Sequence, residues 1–99
     1  MNGTKLLIDA AVRSRNQKIR DLAVSQLVEK KARTALEYVA KQSAYPDTRR
    51  YVALCLHQMK AMAALRRLLD DGPKDVRDYV DVLLREMENE YEETRISVD

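Results

Sequence analysis

The chain has 99 residues, 45% of them hydrophobic and 34% charged, with two Gly, two Pro, five Tyr, one Cys and neither Phe nor Trp. That length suits one domain with a single core, and few breakers among many Ala, Leu, Lys, Arg and Glu favour helix over sheet. The apolar content is too high and too evenly spaced for a disordered chain, and no apolar run is long enough to span a membrane. The formal charge of +2 conceals a gradient: residues 1–50 carry eleven Lys/Arg against five Asp/Glu, a net +6, and residues 51–99 carry seven against eleven, a net −4.

In chain order, Met1-Asn2-Gly3-Thr4-Lys5 lacks the apolar core of a secretion signal and leads into a helix predicted over about 4–13. Ser14-Arg15-Asn16 interrupts it, with Asn16 placed to cap a second helix over about 16–30. Thr34-Ala35-Leu36-Glu37 reads as a capping box, Thr and Glu satisfying each other's orphan backbone donors, and opens a third helix over about 34–43. After Ala44-Tyr45-Pro46-Asp47 a fourth helix runs over about 46–59, its Pro tolerated in the first turn. No cap marks Met59-Lys60-Ala61-Met62, so a tight bend is expected there before a fifth helix over about 61–71. Gly72-Pro73 separates off a sixth over about 73–92, with fraying expected beyond Glu93. Much of the acid lies in this last segment, Glu86-Met87-Glu88-Asn89-Glu90-Tyr91-Glu92-Glu93.

Three of these stretches repeat one pattern. Ile19-Arg20 through Leu27, Thr48-Arg49 through Leu56 and Val76-Arg77 through Leu84 each place an Arg second, a residue fit for burial fifth and a Leu ninth, at spacings of 29 and 28 residues. Leu7, Leu36 and Leu65 repeat upstream at a spacing of 29. Self-similarity at this period marks stacked units that cannot bury their apolar faces alone. Counting the repeated Arg as zero, positions −1, +3, +6, +7 and +10 share one helix side. They hold Ile19, Ala23, Gln26, Leu27 and Lys30 in the first unit, Thr48, Val52, Cys55, Leu56 and Met59 in the second, and Val76, Val80, Leu83, Leu84 and Met87 in the third. The polar Gln26 and Lys30 make the first unit read as a terminal one.

With the segments around Leu36-Glu37-Tyr38-Val39 and Leu65-Arg66-Arg67-Leu68-Leu69, and the turn Leu68-Leu69-Asp70-Asp71-Gly72-Pro73-Lys74-Asp75-Val76-Arg77, the chain resembles HEAT and HEAT-like repeats, from about residue 6 to 88. The resemblance implies an all-α fold, a short right-handed α-solenoid of three antiparallel helix hairpins. It would form one domain over residues 1–93, with units about 4–31, 33–60 and 61–92 and a frayed tail at 94–99. It also implies an Asp near the turn that pairs with the repeated Arg along the stack. Asp71 fits that place in the third unit, and Ser14 and Ser43 stand there in the other two.

Enzymes built on this kind of fold need residues that this chain lacks. A lone His57 does not assemble a multi-His metal site, and Cys55, two positions away on a helix, points about 200° from it. With no Gly-rich phosphate loop and no nucleophile elbow, the chain reads as a non-enzyme without a cofactor, Cys55 being a packing residue. One unpaired cysteine suits a reducing compartment, so a soluble, cytoplasmic, non-membrane protein is expected.

Function then falls to surfaces. Positions +1, +4, +5 and +8 of each second helix are expected to line a groove for a partner peptide or helix. They supply Val24, Val28, Leu54 and Val82 as an apolar strip, flanked by Arg50, His57, Asp78 and Arg85. Scattered surface apolar residues account equally for that strip. Tyr45, at a turn, and Tyr38 are further candidate anchors. A second reading is nucleic-acid-backbone binding through Arg13, Arg15, Lys18 and Arg20 at the first turn, Lys30, Lys31 and Arg33 at the opposite edge, and Arg49-Arg50 further along. Asp9 and Asp21 dilute that cluster, and no aromatic–basic interleaving supports base stacking. A third is self-association through the exposed ends of the stack, head to tail or by an acidic tail docking on a basic end.

Overall fold

The structure, a computed structural model, describes residues 3–98, with side chains through Glu90. It is all-α among these residues: α1 (Gly3–Arg13), α2 (Gln17–Glu29), α3 (Arg33–Gln42), α4 (Pro46–Gln58), α5 (Met62–Asp71) and α6 (Lys74–Val98). The first five agree with the predicted spans to one residue at each end, whereas α6 runs on to Val98, through the tail expected to fray. α1 packs on α2, α3 on α4 and α5 on α6, giving three helical hairpins. Each hairpin meets the next through its first helix (α1–α3–α5) and through its second (α2–α4–α6), in a body measuring 52 × 26 × 21 Å. The two layers close over Leu27, Leu36, Leu56, Leu65 and Leu68, all fully buried. Each such side chain contributes roughly 1.5–3 kcal/mol of apolar burial.

The turns inside the hairpins follow the sequence reading. Asn16 caps α2, its side-chain oxygen accepting from the backbone N–H groups of Lys18 (2.9 Å) and Ile19 (3.4 Å). Pro46 occupies the first turn of α4, where no intrahelical donor is missed. Gly72 ends α5 in extended backbone, and a Cβ there would sit 2.6 Å from the Leu68 carbonyl oxygen, too close for any side chain.

The turns between hairpins do not. The capping box at Thr34 is not formed, because α3 begins one residue earlier and Ala32 occupies the cap without a side-chain bond. Glu37 turns instead to Arg67, with contacts of 2.9 and 3.1 Å. The junction is closed from the preceding helix. Lys31 adopts φ 55°, its N–H bonds the Val28 carbonyl (2.9 Å), and the Ala32 N–H bonds the Leu27 carbonyl (3.0 Å). These are the two hydrogen bonds of a Schellman motif. Lys60, at φ 58°, repeats it at the second junction, bonding His57 (3.0 Å) while Ala61 bonds Leu56 (2.9 Å). Both motifs use Lys where Gly is favoured, and the left-handed conformation costs a Cβ-bearing residue about 1 kcal/mol. Lys60→Gly is therefore expected to stabilise the chain by up to about 1 kcal/mol, read as a raised midpoint in urea unfolding at unchanged slope. A lowered midpoint would show that the Lys60 side chain contributes more than its backbone strain costs.

The repeated Arg ties each hairpin to the next. Arg20, only 4% exposed, donates from Nε to Thr48 Oγ1 (2.8 Å), from Nη1 to the Ser14 carbonyl (2.8 Å) and from Nη2 to Asp47 (3.4 Å). Its guanidinium also lies 3.7 Å from the centre of the Tyr45 ring, so Tyr45 is a packing partner and not a free anchor. Arg49 repeats the arrangement, bonding the Ser43 carbonyl (2.7 Å) and Asp75 (3.0 Å). The carboxylate partner thus comes from the following hairpin, two residues before its own Arg. Asp71, which the resemblance placed in this role, pairs with Lys41 (3.0 Å), while Ser14 and Ser43 serve through their backbone carbonyls.

Candidate functional site

The register between hairpins decides which side chains are free. On the second helices, positions −1 and +2 from the repeated Arg face the preceding hairpin: Thr48 receives Arg20, and the Tyr51 hydroxyl lies 3.4 Å from Ser25 Oγ. Position +4, expected on an open groove, lies in the core as Val24 and Ala53, both 0% exposed. Val24 is therefore withdrawn from the partner-binding strip, since no ligand reaches it. A second helix in a stack has apolar neighbours on three sides, and the two-sided pattern expected for a hairpin undercounts them.

The rest of that strip divides. Val28 is partly buried against the core. His57 is half-buried and turns both ring nitrogens inward, where among the described residues neither has a hydrogen-bond partner. Leu54 is half-buried and Val82 half-exposed. The charged members are engaged: Arg50 lies 3.8 Å from Asp75, Asp78 2.9 Å from Lys74, and Arg85 3.1 Å from Asp81. What remains of the strip is Leu54 and Val82, set among charged side chains.

The basic set fares similarly. Arg20 is buried and leaves the cluster. Arg13 is exposed but bonded to Asp9 (3.2 Å), and Lys31 is first a turn residue. Arg15, Lys18 and Lys30 are exposed. Cys55 is buried at 6% exposure, and burial pushes its thiol pKa up, against a hydrogen bond from Tyr51 that lowers it.

Two apolar features were not anticipated, and both involve the first hairpin. On the first helices, the junction between the second and third hairpins is closed by ion pairs, Glu37–Arg67 (2.9 Å) and Lys41–Asp71 (3.0 Å). Ile8 and Val12 stand one repeat before Glu37 and Lys41. They floor a shallow hollow of about 300 Å³ with Tyr38, rimmed by Lys5, Asp9 and Arg13.

The second feature is the outer end of that hairpin. Ile19 and Leu22 occupy positions −1 and +2, and Leu6 precedes the repeated Leu7, so all three stand where later hairpins contact their predecessor. The equivalents of Ile19, Thr48 and Val76, are 1% and 0% exposed, and those of Leu6, Ala35 and Ala64, are buried too. Those of Leu22, Tyr51 and Tyr79, pack against the core. In the first hairpin the same positions are open: Leu6 is 64% exposed, Ile19 48% and Leu22 59%. The reading of Ile19 as a core residue is corrected by the same fact. The signal was present in the sequence: the last copy of position +4 is charged (Asp81), as a terminal face requires, but the first copies of −1 and +2 are large and apolar.

Comparison with protein-family models, with curated proteins and with solved structures gives no match for this chain. Among the described residues no helix is long and apolar enough to cross a membrane.

Proposed function

We propose that the chain is a non-catalytic protein–protein interaction module, a short right-handed α-solenoid of HEAT-like type, and that it binds a protein partner through the open end of its first hairpin. The observation that carries this reading is the exposure of Leu6, Ile19 and Leu22 at positions that the next two hairpins bury or partly bury. Single exposed aliphatic side chains are ordinary, but three on one face at the register of an existing helix–helix contact form half of an interface. Rigid hairpins behind it mean that binding need not order the receptor. A non-catalytic role is supported by the burial of Cys55 and by the inward-facing nitrogens of His57.

The test is capture from the native host with wild-type and variant baits, each checked for helical circular dichroism. Leu22→Glu is expected to lose the captured proteins, because a charge would have to be buried without a partner. Leu54→Asp, on the ridge of the second helices, is expected to retain them. The reverse pattern would return the site to the groove read from sequence. Nucleic acid recovered by both baits and released by reversing Arg15 and Lys18 would favour the backbone-binding reading.

A further inference from the structure

We infer that the open end of the first hairpin receives the acidic C-terminal half of α6 from a second copy of this chain, so that copies join head to tail through an overhanging helix. This rests on the reading just proposed and names the occupant of that site.

Three observations converge on it. The first is length. α2 and α4 have 13 residues each and α6 has 25, so α6 outruns the hairpin to which it belongs. Glu88, Asn89 and Glu90 are all exposed. By sequence, the apolar series Val80, Leu84 and Met87 recurs at a helical period in Tyr91 and, past Thr94 and Arg95, in Val98.

The second is charge. Glu86, Glu88, Glu90, Glu92 and Glu93 against the single base Arg95 leave the overhang acidic. Around Leu6, Ile19 and Leu22 the sequence places Lys5, Arg15 and Lys18 against the single acid Asp21, with Arg13 and Asp9 paired to each other. Each site repels its own kind and attracts the other.

The third is the asymmetry of charge between the two ends, which opposes direct stacking. Direct stacking of a third hairpin on a first would put exposed Arg77, at position zero, against Lys18, where Asp47 and Asp75 stand in the later hairpins. It would also face Asp81 inward at the position held by buried Val24 and Ala53. Pairing two first hairpins would set two basic rims together. Folding back within one chain is barred by geometry, because the first and third hairpins lie at opposite ends of the row. A helix supplied from outside, acidic and with an apolar line, satisfies both the face and its rim. The contact is heterologous and leaves a free head and a free tail, so it extends beyond a dimer as concentration rises.

Sedimentation velocity of the full chain, with two variants, tests this. The wild-type chain is expected to sediment faster as its concentration rises and to lose that dependence in high salt. Leu22→Glu, which spoils the head, and the triple reversal Glu86→Lys, Glu88→Lys, Glu90→Lys, which spoils the tail, are each expected to remain monomeric. All four positions are exposed, and Leu6→Glu provides an independent head variant expected to behave as Leu22→Glu does. Mixing a head-spoiled chain with the tail-spoiled chain restores one intact head and one intact tail, and is expected to give a 1:1 complex that grows no further. A wild type that stays monomeric, a tail-spoiled chain that still self-associates, or a mixture without the complex overturns the inference. A monomeric wild type whose capture of host proteins still depends on Leu22 overturns only the second-copy assignment. If that dependence is also absent, the reading beneath it falls.

Discussion

Arg20→Met is expected to remove about 3 kcal/mol of stability and to lower the melting temperature by roughly 10–20 °C. The size follows from which contacts are desolvated. Asp47 is 46% exposed at its side chain, so the ion pair itself contributes at most about 1 kcal/mol, as surface pairs do. The larger part comes from the buried contacts: Nε to Thr48 and Nη1 to the Ser14 carbonyl, both 2.8 Å, and the Tyr45 ring stacked at 3.7 Å. A hydrogen bond to a charged group contributes about 1.5–3 kcal/mol, and the Ser14 carbonyl left behind is a helix-end acceptor with no other partner among these contacts. Arg20→Lys is expected to rescue little, since one ammonium cannot serve three directions and does not stack as a plane. Asp47→Asn is expected to cost under about 1 kcal/mol. Thermal and urea unfolding of the three variants check the ranking; an Asp47→Asn loss as large as that of Arg20→Met would contradict it.

Truncating the repeated Leu is expected to give unequal losses from equal chemistry. Leu36 and Leu65 are 0% exposed, and Leu→Ala at either should cost about 2–5 kcal/mol, through lost transfer energy and the cavity left behind. For a 99-residue domain with a total of roughly 5–15 kcal/mol, either variant approaches the point of unfolding. Leu7 occupies the same repeat position but is only partly buried, and its truncation should cost less than half as much. Equal losses at all three would mean that the first hairpin is covered as fully as the others, contrary to its open end. Urea midpoints at constant slope provide the comparison.

Much of the helix layout was legible because its signals are local. Asn16, Pro46 and Gly72-Pro73 act on their own turns, and the repeated Arg and Leu fix the phase between copies. The junctions between hairpins misled for a related reason. Thr34 and Glu37 make a good capping box in isolation, but the Schellman turn at Lys31 ends α2 so tightly that α3 starts before Thr34 can cap it. The sequence holds the true signal, Lys followed by Ala at both 31–32 and 60–61, although Lys at positive φ carries no obvious mark.

The site was less legible, because exposure in a stack depends on neighbours and not on helix phase alone. Val24 looks like a surface residue on a lone hairpin and is buried by the next one. Ile19 looks like core and is exposed because nothing precedes it among the described residues. Copies therefore have to be compared position by position, asking at each which neighbour would cover it. Done this way, the apolar Ile19 and Leu22 on the first hairpin stand out against the charged Asp81 on the last.

Methyl NMR of the chain labelled at Ile, Leu and Val tests the central claim most directly. Spectra are compared between dilute chain and chain bound to whatever occupies its surface, a second copy or a captured partner. The account predicts that the methyl signals of Leu6, Ile19 and Leu22 shift or broaden on binding while those of Leu54 and Val82 stay in place. Perturbation confined to Leu54 and Val82, with Leu6, Ile19 and Leu22 unmoved, would contradict it.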